Sequence, residues 1–144
     1  MTDKNIYTWN AVPAVRNLTI TELRKGKGRK VFTQVTANTE DEANAALEAD
    51  IDMIISYHRN VEAVRRANPK TFLTAAIPLP EAVTTDDVMR ASFRAMELGA
   101  DQVMTARSMD VVEALSREDI PVMGHLGLVP RKSCLLYTSD AADE

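Results

Sequence analysis

A histidine set between two glycines is the residue here best placed to do chemistry. In Ile120-Pro121-Val122-Met123-Gly124-His125-Leu126-Gly127-Leu128-Val129-Pro130, a short apolar strand runs into a Gly-His-Leu-Gly turn. The glycines allow a sharp bend and a close approach of backbone to a ligand. An imidazole at the carboxyl end of a parallel strand stands where α/β enzymes put working groups. Two readings of His125 stay open: a working group that faces substrate, or a ring that only caps its strand. Arg107, in Thr105-Ala106-Arg107-Ser108, is a second candidate. Its guanidinium has the geometry to grip a substrate carboxylate bidentately; the alternative is a surface pair with Asp110. His58, in Ser56-Tyr57-His58, is a third. His58 and His125 together would suit a soft metal, but two histidines three strands apart are a weak signal, and no metal site is assigned.

These residues need a scaffold that brings strand ends together. Apolar, β-branched runs predict strands over residues 31–36, 52–56, 72–77, 102–105 and 120–124. Helices are expected between them. Thr19 with Glu22 makes a capping-box pattern, and Thr39 precedes the acidic turn Glu40-Asp41-Glu42. The second of the intervening helices covers residues 60–67 and stops at Asn68-Pro69. A longer one, residues 86–98, starts at Thr84 or Thr85 and ends on Gly99, and another covers 109–116. Residues 1–17 read as an arm, with Trp9 either packed under a neighbour or loosely held.

Three helix-to-strand junctions resemble one another, at residues 46–54, 95–103 and 114–122. Repetition of that kind is what a ring of βα units produces, with strands apolar on both faces in a covered parallel sheet. Alternation alone leaves a closed barrel and a doubly wound sheet both open. No glycine-rich phosphate fingerprint follows the first strand. The five strand ends, at Thr36-Ala37-Asn38, Ser56-Tyr57-His58, Ala75-Ala76-Ile77, Thr105-Ala106-Arg107-Ser108 and Gly124-His125, hold no carboxylate.

Gly124-His125-Leu126-Gly127-Leu128, two residues before Pro130, resembles the Gly-His-Leu-Gly-Leu-Thr-Pro motif of the ketopantoate hydroxymethyltransferase family. Thr19-Ile20-Thr21-Glu22-Leu23-Arg24, the basic Arg29-Lys30 and the strand end Thr36-Ala37 resemble that family too, and the likeness covers about residues 18–133. It implies an α/β fold: the amino-terminal five βα units of a TIM (β/α)8 barrel, truncated, since a whole barrel takes about 250 residues. It also implies one-carbon transfer from methylenetetrahydrofolate to 2-oxoisovalerate, in pantothenate biosynthesis. There a divalent metal such as magnesium binds the keto acid, acidifies its C3 proton and stabilises the enolate.

Carried over residue by residue, the likeness also exposes departures. The family's Gly-Asp-Ser falls on Ser56-Tyr57-His58, and its Ala-Asp-Leu-Pro on Ala75-Ala76-Ile77-Pro78. Tyr57 and Ala76 therefore replace the two metal-binding aspartates. The family's Lys-x-Glu falls on Met104-Thr105-Ala106. Only His125, which hydrogen-bonds the keto acid in the family, carries over intact. The expected site is thus His125 with Arg107 and His58 as substrate-binding residues. The metal is in doubt and no cofactor-binding residue is assigned. The readings in view are the family transferase, a divergent barrel enzyme, and a non-catalytic paralogue that binds a small 2-oxo acid without magnesium.

The segment from Cys134 to Glu144, residues 134–144, resembles a translated transposase sequencing adaptor and is set apart from the expected barrel domain at 18–133. Without its Asp140, Asp143 and Glu144, 18 acidic residues face 17 basic ones and the net charge moves from −4 to −1. Neither balance points to nucleic acid or a membrane surface. The single cysteine lies in that segment, so no disulfide framework is expected. A cytoplasmic protein, homo-oligomeric when full length, with a small 2-oxo acid as its partner, is the expectation.

Overall fold

The computed structural model describes residues 3–127 and 129. The segment 134–144, Leu128 and Pro130 lie outside the described residues. An antiparallel hairpin, β1 (Lys4–Tyr7) and β2 (Pro13–Arg16), leads into helix α1 (Ile20–Gly26). Strands β3 (Gln34–Thr36), β4 (Met53–Tyr57), β5 (Phe72–Ile77), β6 (Gln102–Thr105) and β7 (Val122–Gly124) then alternate with helices α2 (Glu40–Glu48), α3 (Val61–Ala67), α4 (Thr85–Glu97) and α5 (Met109–Arg117). The five strands form one parallel sheet in the order β3-β4-β5-β6-β7. Sequential order without reversal is the order of a ring of βα units; a doubly wound sheet reverses about its first strand.

Local chemistry starts α2 and α4. At α2 the Thr39 hydroxyl accepts from the Glu42 amide at 3.2 Å, while Glu42 accepts from the amides of Thr39 and Asn38 at 3.1 and 2.6 Å. Thr84 and Asp87 repeat this box at α4. The Asn38 amide, followed by the Thr39 amide and hydroxyl, holds the Glu42 carboxyl below its ordinary range. A carboxylate with a depressed folded pKa adds stability above its unfolded pKa and loses it as pH falls through the folded value. The denaturation midpoint is expected to drop as pH falls below the ordinary carboxylate range, and Glu42→Gln to flatten that slope. Chemical denaturation at several pH values checks both.

Apolar side chains from β4, β5 and β6, among them Ile54, Leu73, Ala75, Ile77 and Val103, pack with Ala43, Val64, Val88, Ala95 and Leu115 of the helices. Burying the valine, leucine and isoleucine side chains among them contributes about 1.5–3 kcal/mol each. Alternation along the strands then sends Tyr57, Ala76 and Met104 to the opposite face of the sheet.

The structure departs from the sequence expectations at both sheet edges and at the arm. β3 begins at Gln34, not residue 31, and Val31 is 90% exposed. The Asp52 carboxylate accepts from the Thr33 amide at 2.8 Å, and residues before Thr33 have no strand partner beyond that point. β7 begins at Val122, because Pro121 has no N–H for the ladder; its carbonyl accepts from Val103 at 2.9 Å. The helix expected from residue 60 opens as a 3-10 turn, His58–Asn60. The arm expected at 1–17 is, over its described residues 3–17, a docked hairpin. Trp9 meets the edge of Phe93 on α4 at 5.4 Å, and Asn10 donates to the Glu97 carbonyl at 3.3 Å. Asn17 accepts from the Phe72 amide and donates to the Asp52 carbonyl, so this segment seals the amino ends of the strands.

Candidate functional site

The carboxyl ends of the strands line a cleft of about 380 Å³. Register builds it: Tyr57 pairs with Ala76, Ala76 with Met104, and Met104 with Met123, one row across four strands. His125 lies two residues beyond Met123, on the same face by alternation. Its backbone N–H donates to the Thr105 carbonyl at 2.9 Å, so the main chain, not the ring, ties off this strand end. The half-buried ring lines the cleft with Tyr57, Ala76, Met104, Ala106 and Pro78. Of the two glycines, Gly127 takes φ +78 and needs to be glycine. Gly124 does not: an added Cβ would sit 3.5 Å from Val112 and 3.6 Å from Met109, ordinary contact distances.

A smaller recess of about 150 Å³ opens on the other side of Tyr57, walled by Thr36, Asn38, Ser56 and Ala76. Asn38 is the residue that sequence reading passed over. Its Oδ1 accepts from the Tyr57 amide at 2.9 Å, from Ser56 Oγ at 3.2 Å and from Asn60 Nδ2 at 3.4 Å. Only its place at a strand end marked it in the sequence.

Arg107 and His58 have other duties. The Arg107 guanidinium donates through Nη2 to the carbonyls of Leu79, at 2.8 Å, and Ala82, and its buried Nε has no partner among the described residues. It is bound neither to Asp110 nor among the residues that wall the cleft. His58 Nε2 lies 3.3 Å from Glu81, which Arg59 also binds. The Arg59 guanidinium, followed by His58, holds the Glu81 carboxyl below its ordinary range. Arg107, Arg59 and His58 thus hold the loop at residues 78–83, whose prolines form the lip of the cleft. The reason is reach: a strand-end arginine beside a loop with inward carbonyls satisfies those carbonyls first.

The side chains at the positions where the sequence resemblance places metal ligands do not suit a hard divalent cation. Magnesium takes oxygen ligands, mostly carboxylates and water, whereas the row across the cleft supplies a phenol, a methyl group and a thioether. Among the described residues, no group of three or more His, Cys, Asp or Glu side chains is placed to hold a metal ion. No helix among them is long and apolar enough to cross a membrane.

A search of solved structures finds likeness to 2,3-dimethylmalate lyase, a member of the PEP mutase/isocitrate lyase superfamily, in two crystal forms. TM-scores are 0.55 and 0.54 at 15% and 16% identity, covering 77% and 74% of this chain and 52% of each lyase chain. That likeness speaks for the fold alone. Among curated proteins, the 3-methyl-2-oxobutanoate hydroxymethyltransferase of Staphylothermus marinus is 29% identical over 147 residues, 85% of this chain and 54% of the relative. That of Kosmotoga olearia is 32% identical over 139 residues, 79% of this chain and 52% of the relative. The Deinococcus radiodurans protein of that name is 43% identical over 76 residues, 49% of this chain and 27% of the relative. This chain spans about half the length of the first two of these relatives. The family profile for ketopantoate hydroxymethyltransferase matches residues 56–141, and so runs on past Ser133 into the segment expected to be foreign. With a match over more than half its residues, the chain belongs to the ketopantoate hydroxymethyltransferase family.

Proposed function

We propose that this chain forms five βα units of a (β/α)8 barrel whose mouth binds a small 2-oxo acid without a divalent metal. The observation that carries this reading is the row Tyr57-Ala76-Met104, which opens on the same cleft as His125. The His125 ring donates one hydrogen bond to a ligand oxygen. The apolar wall from Pro78, Leu79 and Met104 receives a branched aliphatic chain. Arg107 and His58 act at one remove, by holding the lip formed by Pro78 and Pro80. The assembled protein would be a cytoplasmic homo-oligomer with neither nucleic acid nor membrane as partner.

A second reading is favoured by the relatives' shared name, hydroxymethyl transfer to 2-oxoisovalerate, for which the family resemblance implies methylenetetrahydrofolate as donor and magnesium. Metal dependence separates the two. Titration calorimetry with 2-oxoisovalerate in chelator is expected to show binding, and His125→Ala to weaken it about tenfold, the worth of one hydrogen bond to a charged ligand. Binding that appears only after magnesium is added would overturn the metal-free reading.

A further inference from the structure

We infer that Asn38 is a ligand-binding residue, and that its side-chain amide donates to an acceptor oxygen of the bound oxo compound. The inference rests on the reading of the mouth as an oxo-acid site, and assigns it a donor that neither the sequence motif nor the family likeness supplies.

One bond fixes which way the amide faces. The Tyr57 backbone N–H can only donate, so the atom 2.9 Å from it is the Asn38 oxygen and not the nitrogen. The same oxygen accepts from Ser56 Oγ, itself buried at 1% exposure, and from Asn60. The backbone N–H of Asn38 is bound to Glu42 at 2.6 Å. What the side chain has left is Nδ2, with two N–H donors and no acceptor among the described residues. Asn38 is half-buried and walls the recess beside Tyr57, where Ala76 leaves space.

This is a preorganised donor. A free asparagine turns its amide to suit any partner, but here rotation would set an NH2 group against the Tyr57 N–H and break that bond. A donor held in place loses little entropy when a ligand arrives, which is what makes fixed dipoles effective toward developing or resident negative charge. The complementary group is a carbonyl or carboxylate oxygen. With the Tyr57 hydroxyl and the His125 ring, Asn38 gives this mouth side-chain hydrogen-bond donors in place of a metal ion.

Asn38→Asp is the discriminating variant. The carboxylate keeps an oxygen for Tyr57, Ser56 and Asn60, so the staple between β3 and β4 survives, but the donor becomes an acceptor. Two probes are used in chelator: 2-oxoisovalerate and the uncharged ketone 3-methylbutan-2-one, which removes simple charge repulsion. In the unaltered protein, the Asn38 side-chain amide resonances are expected to shift on titration with both probes. In Asn38→Asp the melting temperature stays put, and affinity for each probe falls about thirtyfold, since a site left with a mispaired polar group rejects its ligand strongly. If the ketone shifts the Asn38 amide and the acid does not bind, the oxo-acid reading fails while the donor role of Asn38 stands. If neither probe moves the amide, or Asn38→Asp binds the ketone as the unaltered protein does, Asn38 is only a staple and the inference is overturned.

Discussion

Exchange of the C3 proton of 2-oxoisovalerate in heavy water is expected to run at the same rate with this protein whether magnesium or chelator is present. Removing a proton beside a carbonyl puts charge on oxygen, and a bound metal contributes several kcal/mol toward holding it. Losing about 4 kcal/mol slows a step roughly a thousandfold. The cleft holds Tyr57 and Ala76 side by side where the family likeness places two aspartates. The double variant Tyr57→Asp, Ala76→Asp makes the comparison sharp. Adjacent parallel strands lie about 4.8 Å apart, so two carboxylates there repel each other until a cation joins them. Magnesium should therefore raise the melting temperature of the double variant and leave that of the unaltered protein unchanged. Fast exchange by the unaltered protein that a chelator abolishes would sink the idea, and the ordinary transferase reading would stand.

The largest loss of stability is expected at the opposite end of the sheet, from Asp101→Asn. Asp101 accepts from Arg16 Nε at 2.8 and 3.1 Å, from Arg65 Nη2 at 2.8 Å and from the Leu73 amide at 2.9 Å. Its side chain is 9% exposed, and those of the two arginines 4% and 12%. Burial pushes Arg65 down to about 10 in spite of the neighbouring carboxylate, which shows how much desolvation the cluster bears. Asparagine leaves two buried guanidinium groups without a counter-charge. Breaking a buried pair in this way costs roughly 3–5 kcal/mol, or about 10–20 °C in melting temperature for a chain of this size. Calorimetry or thermal circular dichroism would read the change, and a shift of only a degree or two would show that the hairpin is not held by this cluster. The arginines also serve backbone carbonyls, Arg16 those of Val15 and Pro69, and Arg65 those of Asn68, Thr71 and Gly99. The cluster therefore welds β2 to the starts of β5 and β6.

What the sequence determined by itself is the part of the fold written within a few residues. Thr19, Thr39 and Thr84 cap helices because the acidic side chain three positions on lies within reach whatever the rest of the chain does. The five apolar runs became five parallel strands because the helices between them return the chain in the same direction and the central runs, β5 and β6, are too apolar to face water. His125 was legible as a cleft residue from its place just past a strand. The tertiary structure decided what depends on partners 19 to 85 residues away. Arg16 meets Asp101, and Arg107 meets the carbonyls of Leu79 and Ala82, through packing that no local spacing encodes. The same holds for Asn38: a polar residue after a strand is common, and only the arrival of the Tyr57 N–H beside its oxygen fixes the direction of its amide. Hydrogen bonds are directional and short-ranged, so composition shows which groups can donate, while the fold alone determines which donors are left facing the cleft.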